Sequence, residues 1–507
     1  MKNKNLPSPC LKGGVIDGLE RAERESMNTT IGSIQRCPGT VGWGLMVFLL
    51  AAATGFAQDN QDNQANHQLP KLRHYTIQNQ AQESSASSDF GEADKNSLRD
   101  YLSDYLASAL KQSGWKKPRV KLAGKYEMFV GGYWNKQRGK ENSYGEIRFR
   151  PKATINLTDD LLLYLEGDFR QDSRGFAHGY INNKTESGYR WAADIREGYI
   201  EYIRNQFRFR VGKQIFDWSV TDLVSPSDNL NPRDWTHLIE WEKVGVPAID
   251  IRMGYDHFLE FVYIPYFTPS KLPRGRWERL EMENYEVEGG GGQYAIRAGT
   301  TFKGFDLTAS FFDGFSYNPA VRVDVPKVGF DSAGMPPMST PHFHPRYYRE
   351  RVWAATLAKE IYQGYMLRTE VGYFDQEIGN NFFQYVIGVD REWNDVFRPT
   401  DNLYLLLQHA GDTSSEFERV GDFRRGLSDS VILKAKYAFD DRERWALGLE
   451  AVYSLENSGS YVKPSVAYKK DNMTIEAGVA IMSGAKETFF GGYGRNDYGY
   501  LQVSWEF

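Results

Sequence analysis

Cysteine is nearly absent from the sequence: Cys10 and Cys37 are the only two among 507 residues, and both lie near the N-terminus. A fold held together by disulfides is therefore excluded for the rest of the chain. An excess of one charge sign is absent as well, because 61 Lys and Arg stand against 66 Asp and Glu. This balance argues against a nucleic-acid-binding protein, which needs a basic surface.

Long apolar stretches are also scarce, and the mean hydropathy is −0.56. A bundle of transmembrane helices is excluded, since each helix needs about 20 mostly apolar residues. The chain does contain 14% aromatic residues and 48 glycines, and 41% of its residues are apolar. The apolar share excludes a disordered chain, and the enrichment in Tyr, Phe and Gly favours a large all-β protein.

The one long apolar run covers 41–57 and follows Arg36. An apolar run that follows a basic residue and ends in small residues is typical of a secretory signal peptide. We expect translation from Met27 and cleavage after Ala57, so that 1–57 comprise upstream residues and the signal. The segment 58–94 is rich in Gln, Asn, Ser and Asp, and this composition predicts a disordered linker.

A short amphipathic helix is predicted after the linker, over 95–117. Leu98, Leu102, Leu106 and Leu110 recur at four-residue steps, which places them on one helical face. Two interpretations are open. The helix packs against the main domain, or it docks a periplasmic partner through 95–113.

From 118 to 507 the hydrophobic period is two. In the second run, for example, Ile147 and Phe149 alternate with Arg148 and Arg150. Soluble strands are usually about 5–6 residues long, and these runs are about twice that, which is typical of membrane-spanning strands. The sequence therefore predicts an all-β fold, a transmembrane antiparallel outer-membrane β-barrel of about 18 strands. The runs start near residues 119, 143, 160, 191, 206, 245, 256, 292, 303, 348, 363, 381, 398, 427, 443, 459, 472 and 496.

The connections between these runs alternate in length. Every second connection is usually tight, as at 157–160, whereas most of the others are long, as at 173–190, 217–244, 268–291 and 314–347. Short turns on the periplasmic side and long loops on the outer side are typical of outer-membrane barrels. We therefore expect the long loops to face the outside of the cell.

The last predicted strand ends at Phe507, and Leu501, Val503 and Trp505 share its face. A terminal strand of this form resembles the assembly signal of bacterial outer-membrane proteins. We expect a location in the outer membrane of a Gram-negative bacterium. The expected partners are outer-membrane lipid, lipopolysaccharide and the barrel assembly machinery, and no nucleic acid.

A more particular resemblance lies between residues 196 and 255. Four stretches carry it in order: 196–202 (REGYIEY), 210–218 (RVGKQIFDW), 231–234 (NPRD) and 246–255 (VPAIDIRMGY). They resemble a proteobacterial family of porin-like outer-membrane β-barrels catalogued as a domain of unknown function, which is distantly similar to the alginate-export type of barrel. The resemblance implies the same fold and location, and it brings no catalytic motif.

The faces assigned by alternation place many charged side chains toward the barrel interior. Charges at every second position imply water or charged partners inside, because an unpaired ion in a dry core is prohibitive. Two interpretations are open: these side chains line a selective pore, or they pair across strands and brace the wall. The pore-lining candidates are Arg148, Arg150, Glu166, Asp168, Arg208, Arg210, Asp250, Arg252, Arg368 and Glu370.

The connection 217–244 is the sharper candidate for a functional element. It combines aromatic faces with hydrogen-bonding groups, a mixture that suits sugar-like or aromatic solutes. The segment either folds inward and constricts the pore or packs on its own aromatic residues. The constriction candidates are Trp218, Asn231, Arg233, Asp234 and Trp235.

Enzymatic functions are poorly supported by the sequence. It has no Gly-x-Ser-x-Gly elbow and no His-x-x-x-His ligand pair. His342 and His344 are two possible metal ligands without a third. We expect no enzyme, no cofactor and no metal. The expected function is a porin-like channel for passive diffusion of small polar solutes, and the alternative is a component that passes a polymer or lipid across the outer membrane with a periplasmic partner.

Overall fold

The structure is a computed structural model. It describes residues 118–177, 192–237, 241–279, 286–287, 291–324, 342–414, 424–440, 442 and 444–507. The signal peptide over 1–57, the linker over 58–94 and the helix over 95–117 lie outside the described residues, so they stay predictions.

Eighteen long strands form one sheet, and we number them β1 to β18 in chain order. The first nine are β1 Arg119–Tyr133, β2 Ser143–Asn156, β3 Leu161–Asp172, β4 Ala193–Arg204, β5 Phe207–Gln214, β6 Val246–Gly254, β7 His257–Ile264, β8 Gln293–Phe302 and β9 Phe305–Phe315. The other nine are β10 Arg349–Tyr362, β11 Tyr365–Gln376, β12 Phe382–Asn394, β13 Asn402–Asp412, β14 Ser430–Ala438, β15 Trp445–Ser454, β16 Ser460–Lys470, β17 Met473–Ser483 and β18 Tyr498–Glu506.

Each strand pairs antiparallel with the next, and the sheet closes on itself. β18 pairs with β1, with Glu506 opposite Lys125 and Tyr498 opposite Tyr133. The predicted closed barrel of 18 strands is therefore confirmed. The largest differences in strand starts are at β13 and β14, which begin at Asn402 and Ser430 rather than near 398 and 427. Before β13, a turn delays the strand, because the Asp401 carboxylate accepts the backbone N–H groups of the preceding residues.

The outer face of the barrel is apolar. Val120, Leu122 and Ile147 are among its exposed side chains, at 55, 75 and 55%. Aromatic rings form rows across neighbouring strands, and one such row joins β8 to β11 through Tyr294, Phe311, Trp353 and Tyr373. An apolar band with aromatic rows is the surface that outer-membrane barrels present to lipid, and the chain is an outer-membrane β-barrel. Across the described residues, no helix is long and apolar enough to cross a membrane.

Tight turns and long connections lie at opposite ends of the barrel. The pairs Lys303-Gly304 and Gln363-Gly364 both adopt positive φ, at 50° and 74° and at 41° and 85°. Two consecutive residues with positive φ match the right-handed twist of a two-residue hairpin. The other end carries the long connections 173–192, 215–245, 265–292, 316–348, 413–429 and 484–497. Several of these fold back into the barrel mouth, where Trp277, Tyr317 and Phe490 join one buried aromatic cluster.

The alternation of β4 is broken by a β-bulge. The pairing of β3 and β4 shifts between Glu166 opposite Glu197 and Gly167 opposite Ile195, which leaves Arg196 as the extra residue. An extra residue reverses the facing of every side chain beyond it. The facing of β4 could not be assigned from its sequence for this reason.

Candidate functional site

The connection between β5 and β6, residues 215–245, leaves the wall and enters the lumen. We call it the luminal loop. Its root is apolar: Phe216, Trp218 and Leu230 are 6, 3 and 3% exposed and pack in one cluster with inward-facing side chains of β6 to β12. Two of these wall residues are Ala248 and Ala295. Small side chains on the wall make room for the bulky side chains of the loop.

Asn231 holds the two ends of the loop together. Its side-chain oxygen accepts the backbone N–H of Phe216 at 2.7 Å. Its amide donates to the carbonyls of Gln214 and Val244, at 3.2 and 2.9 Å. The residue is fully buried, so all three hydrogen bonds are shielded from water. Asn231 therefore closes the base of the luminal loop where β5 ends and β6 approaches.

The far side of the loop is anchored on Glu370 of β11, which is fully buried. Both carboxylate oxygens accept several hydrogen bonds from residues 219–227, at 2.6 to 3.2 Å. The donors are the backbone N–H groups of Val220, Thr221 and Ser227 and the hydroxyls of Ser219, Thr221, Ser225 and Ser227. A buried carboxylate is stable when its lone pairs are filled in this way. Glu370 therefore fixes the loop to the wall.

The contact with the far wall extends over two more strands. The backbone N–H of Asp222 donates to Gln408 of β13 at 3.1 Å, and the Gln408 amide donates to the Asp222 carbonyl at 2.9 Å. Lys434 of β14 binds the Asp222 carboxylate at 2.9 Å. In a closed sheet of 18 strands, β14 lies nine strands from β5 and hence directly across the barrel. The luminal loop therefore spans the lumen from wall to wall.

Inside the loop, Arg233 and Asp228 form a buried ion pair at 2.8 Å, with side chains 5 and 3% exposed. Lys243 binds the same carboxylate at 2.6 Å. The Arg233 guanidinium lies over the rings of Trp241 and Tyr317, at 5.3 and 4.9 Å. Burial alone would raise the pKa of Asp228, but the two cations outweigh burial and lower it. The fold of the loop therefore depends on an ionised Asp228.

The near side of the loop binds the wall through Glu242. Arg148 and Arg150 of β2 contact its carboxylate at 2.8 and 2.5 Å, and Arg170 of β3 contacts it at 3.2 Å. Burial acts to raise the pKa of Glu242, but Arg148, Arg170 and Arg150 overcome burial and hold this pKa well below its ordinary value. Three cations on one carboxylate make this the main polar anchor on the near wall.

Arg148 and Arg150 pair with carboxylates inside the barrel, as in the second interpretation of the inward charges. Their side chains point inward but are only 12 and 11% exposed, because Glu242 and nearby wall carboxylates surround them. Asp168 lies 3.5 Å from Arg150, and its side chain is 7% exposed. Glu166 is 2% exposed and contacts Arg196 and Lys152, at 3.4 and 3.7 Å. Arg148 and Arg150 therefore pair with Asp168 and with the luminal loop, whereas Glu166 pairs with wall cations.

A second inward network covers β4 to β8. Arg208 bridges Asp250 and Glu260, at 2.9 Å to each, and Arg297 binds Glu260 at 2.7 Å. Arg210 forms an ion pair with Glu201. The guanidinium of Arg252 lies 3.7 Å from the centre of the Phe258 ring. Arg208 and Arg210 keep side chains 23 and 28% exposed, so this network borders open space more than Arg148 does.

Asp234 and Trp235 are buried within the barrel, and Trp235 also borders the cavity described below. The Asp234 carboxylate is 3.5 Å from Arg170 and accepts the backbone N–H of Thr236 at 3.0 Å. Trp235 is 5% exposed and packs on Tyr317 at 5.9 Å. Trp218 lies under the guanidinium of Arg297 at 4.7 Å. The predicted constriction residues therefore hold the loop in place.

A cavity of about 470 Å³ remains between the luminal loop and the wall. Charged groups of both signs border it and reach water. The loop contributes Asp217 and Asp222, whose side chains are 76 and 41% exposed. The wall contributes Arg368, which binds Asp390 at 2.5 Å and is 34% exposed, and Glu450, which is 29% exposed. Aromatic side chains complete the lining, namely Trp235, Trp241, Tyr317, Tyr404, Tyr461, Phe489 and Phe490.

Several residues of this site were not among the candidates from the sequence. Glu242 and Asp222 bind the wall and Asp228 holds the loop together, but all three lie outside any alternating run. The serine and threonine side chains between 219 and 227 are the one signal that could have indicated a carboxylate partner. Within the described ranges, no group of three or more metal-binding side chains occurs.

Solved structures of outer-membrane proteins are similar to this chain. OmpF of Salmonella typhi, in a complex with daunomycin, shows 10% identity and a TM-score of 0.37, and the match covers 76% of this chain and 97% of that one. A loop-deletion mutant of OmpT from Vibrio cholerae shows 11% identity and a TM-score of 0.40, and the match covers 77% of this chain and 100% of that one. A mutant of the Rh. blastica porin shows 11% identity and a TM-score of 0.36, and the match covers 77% of this chain and 100% of that one. No protein-family model and no curated protein sequence matches the chain.

Proposed function

We propose that the protein is a porin-like channel for the passive diffusion of small polar solutes, narrowed by its luminal loop. One observation carries the proposal: the loop reaches from β5 and β6 to Glu370, Gln408 and Lys434 on the far wall. A barrel of this strand number is wide enough for an aqueous channel. A segment anchored across such a lumen reduces the passage to a cavity of molecular size.

The lining of the cavity supports a polar solute rather than an apolar one. Asp217 and Asp222 of the loop border the cavity together with Arg368 of the wall, and Lys434 of the wall binds Asp222. The passage therefore has groups of both charge signs. Opposed charges orient a dipolar or hydroxyl-rich solute as it passes. The aromatic faces of Trp241 and Tyr404 add apolar contact area of the kind that binds sugar rings.

A channel, rather than an enzyme, also agrees with the family resemblance. The stretch 210–218 contains the end of β5 and the root of the luminal loop. The stretch 231–234 contains Asn231 and Arg233, which hold the loop together. Two of the four stretches that resemble the porin-like family thus contribute to the luminal loop, and the other two lie on β4 and β6. The periplasmic partner of 95–113, lipopolysaccharide and the assembly machinery remain part of the proposal.

Single-channel conductance in a planar lipid bilayer tests the proposal. The wild-type protein should form small, stable channels, and Glu370→Ala should raise their conductance several-fold because the loop loses its far anchor. Glu392→Ala is the matched control, since Glu392 lies near a tight turn and contacts Asn402 rather than the loop. A folded wild-type protein without conductance, whose Glu370→Ala variant also conducts no ions, would contradict the proposal.

A further inference from the structure

The wall of the barrel has a seam where β4 and β5 separate. Their backbone pairing runs from Arg204 opposite Phe207 to Gly198 opposite Lys213. β4 continues to Ala193, and among the residues that the structure describes its part 193–197 pairs with β3 alone. The cause is the early end of β5 at Gln214, after which the chain turns into the lumen. The β4–β5 seam therefore consists of 193–197 on one side and 213–215 with 245–247 on the other.

Side chains, rather than a backbone ladder, close this seam. Lys213 Nζ lies 2.9 Å from both carboxylate oxygens of Asp194. Glu197 Oε1 accepts the backbone N–H of Ile215 at 3.0 Å. On the 245–247 side of the seam, Gly245 lies so close to β4 that a Cβ atom on it would be 2.3 Å from the Arg196 carbonyl oxygen. Contacts of this kind can separate without unpairing the strands on either side.

A cavity of about 600 Å³ lies at the seam, and side chains from both faces of the wall border it. The lipid-facing group is apolar and includes Leu163, Leu165, Ile195, Ile200, Val211 and Pro247. The luminal group is charged and includes Asp168, Arg170, Asp194, Glu242 and Lys271. Lys213 lies opposite Pro247 on the outer face, and its Nζ reaches Asp194 across the seam. Leu165 and Ile195 are 44 and 37% exposed on the outer face. Side chains from both faces of the wall therefore border one cavity.

We infer that the β4–β5 seam is a lateral port for a single-chain amphiphile with a carboxylate head group, which passes between the outer leaflet and the lumen. The tail would lie along Leu165, Ile195 and Val211. The head group would bind Lys213 in place of Asp194, because one carboxylate can replace another on the same ammonium group. The cavity volume of about 600 Å³ lies within the range of about 300–1,000 Å³ for small-molecule sites. A cavity of this size suits one acyl chain rather than several.

The charges around the port favour an anionic head group. Arg170 already contacts the carboxylates of Asp168, Glu242 and Asp234, at 2.6, 3.2 and 3.5 Å. Lys213 is bound to Asp194 at a partly exposed position, with side chains 22 and 24% exposed. The Lys213–Asp194 ion pair at the mouth of the port is thus within reach of an incoming anion. The inference does not depend on axial conduction through the luminal loop.

Photolabelling in lipid vesicles tests the port. The probe is dodecanoate with a photoreactive diazirine in its chain, and the labelled positions are read by peptide mass spectrometry. Lys213→Gln removes the head-group partner, and Val211→Trp fills the apolar part. The matched controls are Lys359→Gln and Ile251→Trp, which make the same changes on β10 and on the outer face of β6, away from the cavity.

Labelling at Leu165 and Ile195 should fall about tenfold in Lys213→Gln, as the loss of one charged hydrogen bond implies, and in Val211→Trp, but not in the controls. Excess dodecanoate should compete, and dodecyltrimethylammonium should not. Labelling that is even around the barrel, equal in variants and controls, or displaced by the cationic amphiphile would overturn the inference. Conductance measured on the same preparations separates the two proposals, because loss of axial conduction with a labelled seam contradicts the proposed channel alone.

Discussion

The carboxylate of Glu370 accepts both the backbone N–H and the hydroxyl of Thr221, at 2.8 and 2.9 Å. The two residues belong to opposite parts of the barrel, since Thr221 lies on the luminal loop and Glu370 on β11. Pro226 of the same loop lies against Gly372, where a Cβ atom would be 2.8 Å from the proline ring. The Glu370 carboxylate, which accepts hydrogen bonds from the loop, and Gly372, which leaves room for Pro226, thus form the site where the loop binds the wall.

We expect Glu370→Ala to destabilise the barrel by about 3 kcal/mol or more, because several buried donors lose their acceptor and each orphaned group costs about 1–3 kcal/mol. Glu370→Gln should have a smaller effect, since one amide oxygen still accepts from the loop. The measurement is urea unfolding in detergent micelles. Equal free energies of unfolding for Glu370→Ala and the control Glu392→Ala would show that the contact between Glu370 and the loop does not stabilise the barrel.

The contact between Arg150 and Glu242 should be strongly coupled. Removing one partner leaves the other charge buried, which destabilises by about 3–5 kcal/mol, whereas the double variant Arg150→Ala with Glu242→Gln should recover part of that loss. A double-mutant cycle measures the coupling. The reference cycle is Arg119 with Asp159, a pair 3.6 Å apart with side chains 75 and 61% exposed, for which the coupling should be close to zero. Equal coupling in the two cycles would contradict the anchoring role of Glu242.

Acid should release the luminal loop. The pKa values of Asp228 and Glu242 are lowered in the folded protein by the surrounding Arg and Lys residues. Their stabilising effect is therefore present above the ordinary carboxyl pKa, about 4, and is lost as the pH falls through the lowered values. Single-channel conductance should stay constant from pH 7 to about 5 and rise below about 4.

The variant Glu242→Gln is the internal check on this pH dependence. Its amide cannot attract three guanidinium groups as a carboxylate does, so the loop should be looser at pH 7 and its further change in acid smaller. Conductance that rises equally in acid for the wild type and for this variant would assign the effect to other groups.

The strand pattern was predictable from the sequence because it is local. Alternation such as that of Ile147 with Arg148 depends only on neighbours in the chain, and every predicted run corresponds to a strand. The inward facing of Arg148 was predictable for the same reason. Its partner was not, because Glu242 reaches Arg148 only after the chain has left the wall at Gln214.

The facing of Glu197 shows a second limit. The bulge at Arg196 breaks the period of two, and an extra residue of this kind is decided by pairing with β3 rather than by the sequence of β4 alone. The Glu197 carboxylate then accepts the backbone N–H of Ile215, a contact that alternation could not indicate. The aromatic and polar composition of 217–244 left an inward segment as one of two alternatives, and it did not indicate the wall residues that hold the loop.

The end of the barrel that carries the long connections should face the outside of the cell. We expect epitope tags in 173–190, 268–291 and 314–347 to be accessible to antibody on intact cells, and a tag at 157–160 to be accessible only after the outer membrane is opened. The reason is that short turns face the periplasm in outer-membrane barrels. The reverse pattern of accessibility would place the luminal loop at the periplasmic end.

Phe507 should contribute to assembly more than its contact area suggests. Its backbone exchanges two hydrogen bonds with Gly124 of β1, at 3.0 and 3.1 Å, and its ring packs 6.1 Å from Phe149 and 5.5 Å from Trp505. The residue thus extends the β18–β1 closure by one pair, and its aromatic side chain is the part that resembles the assembly signal. Deleting Phe507 should lower the amount of folded barrel in the outer membrane several-fold.

The matched variant Phe507→Tyr keeps both the aromatic ring and the backbone hydrogen bonds, so its level should stay close to that of the wild type. Phe507→Ala keeps the backbone pairing but loses the ring. This variant therefore separates the effect of β18–β1 pairing from that of recognition of the ring by the assembly machinery. Heat-modifiable mobility of membrane fractions on gels measures the folded barrel. If Phe507→Ala falls as far as the deletion, the ring is the decisive part. If the ring and the closure contribute nothing to assembly, all three variants should match the wild type, and the terminal strand would not be an assembly signal.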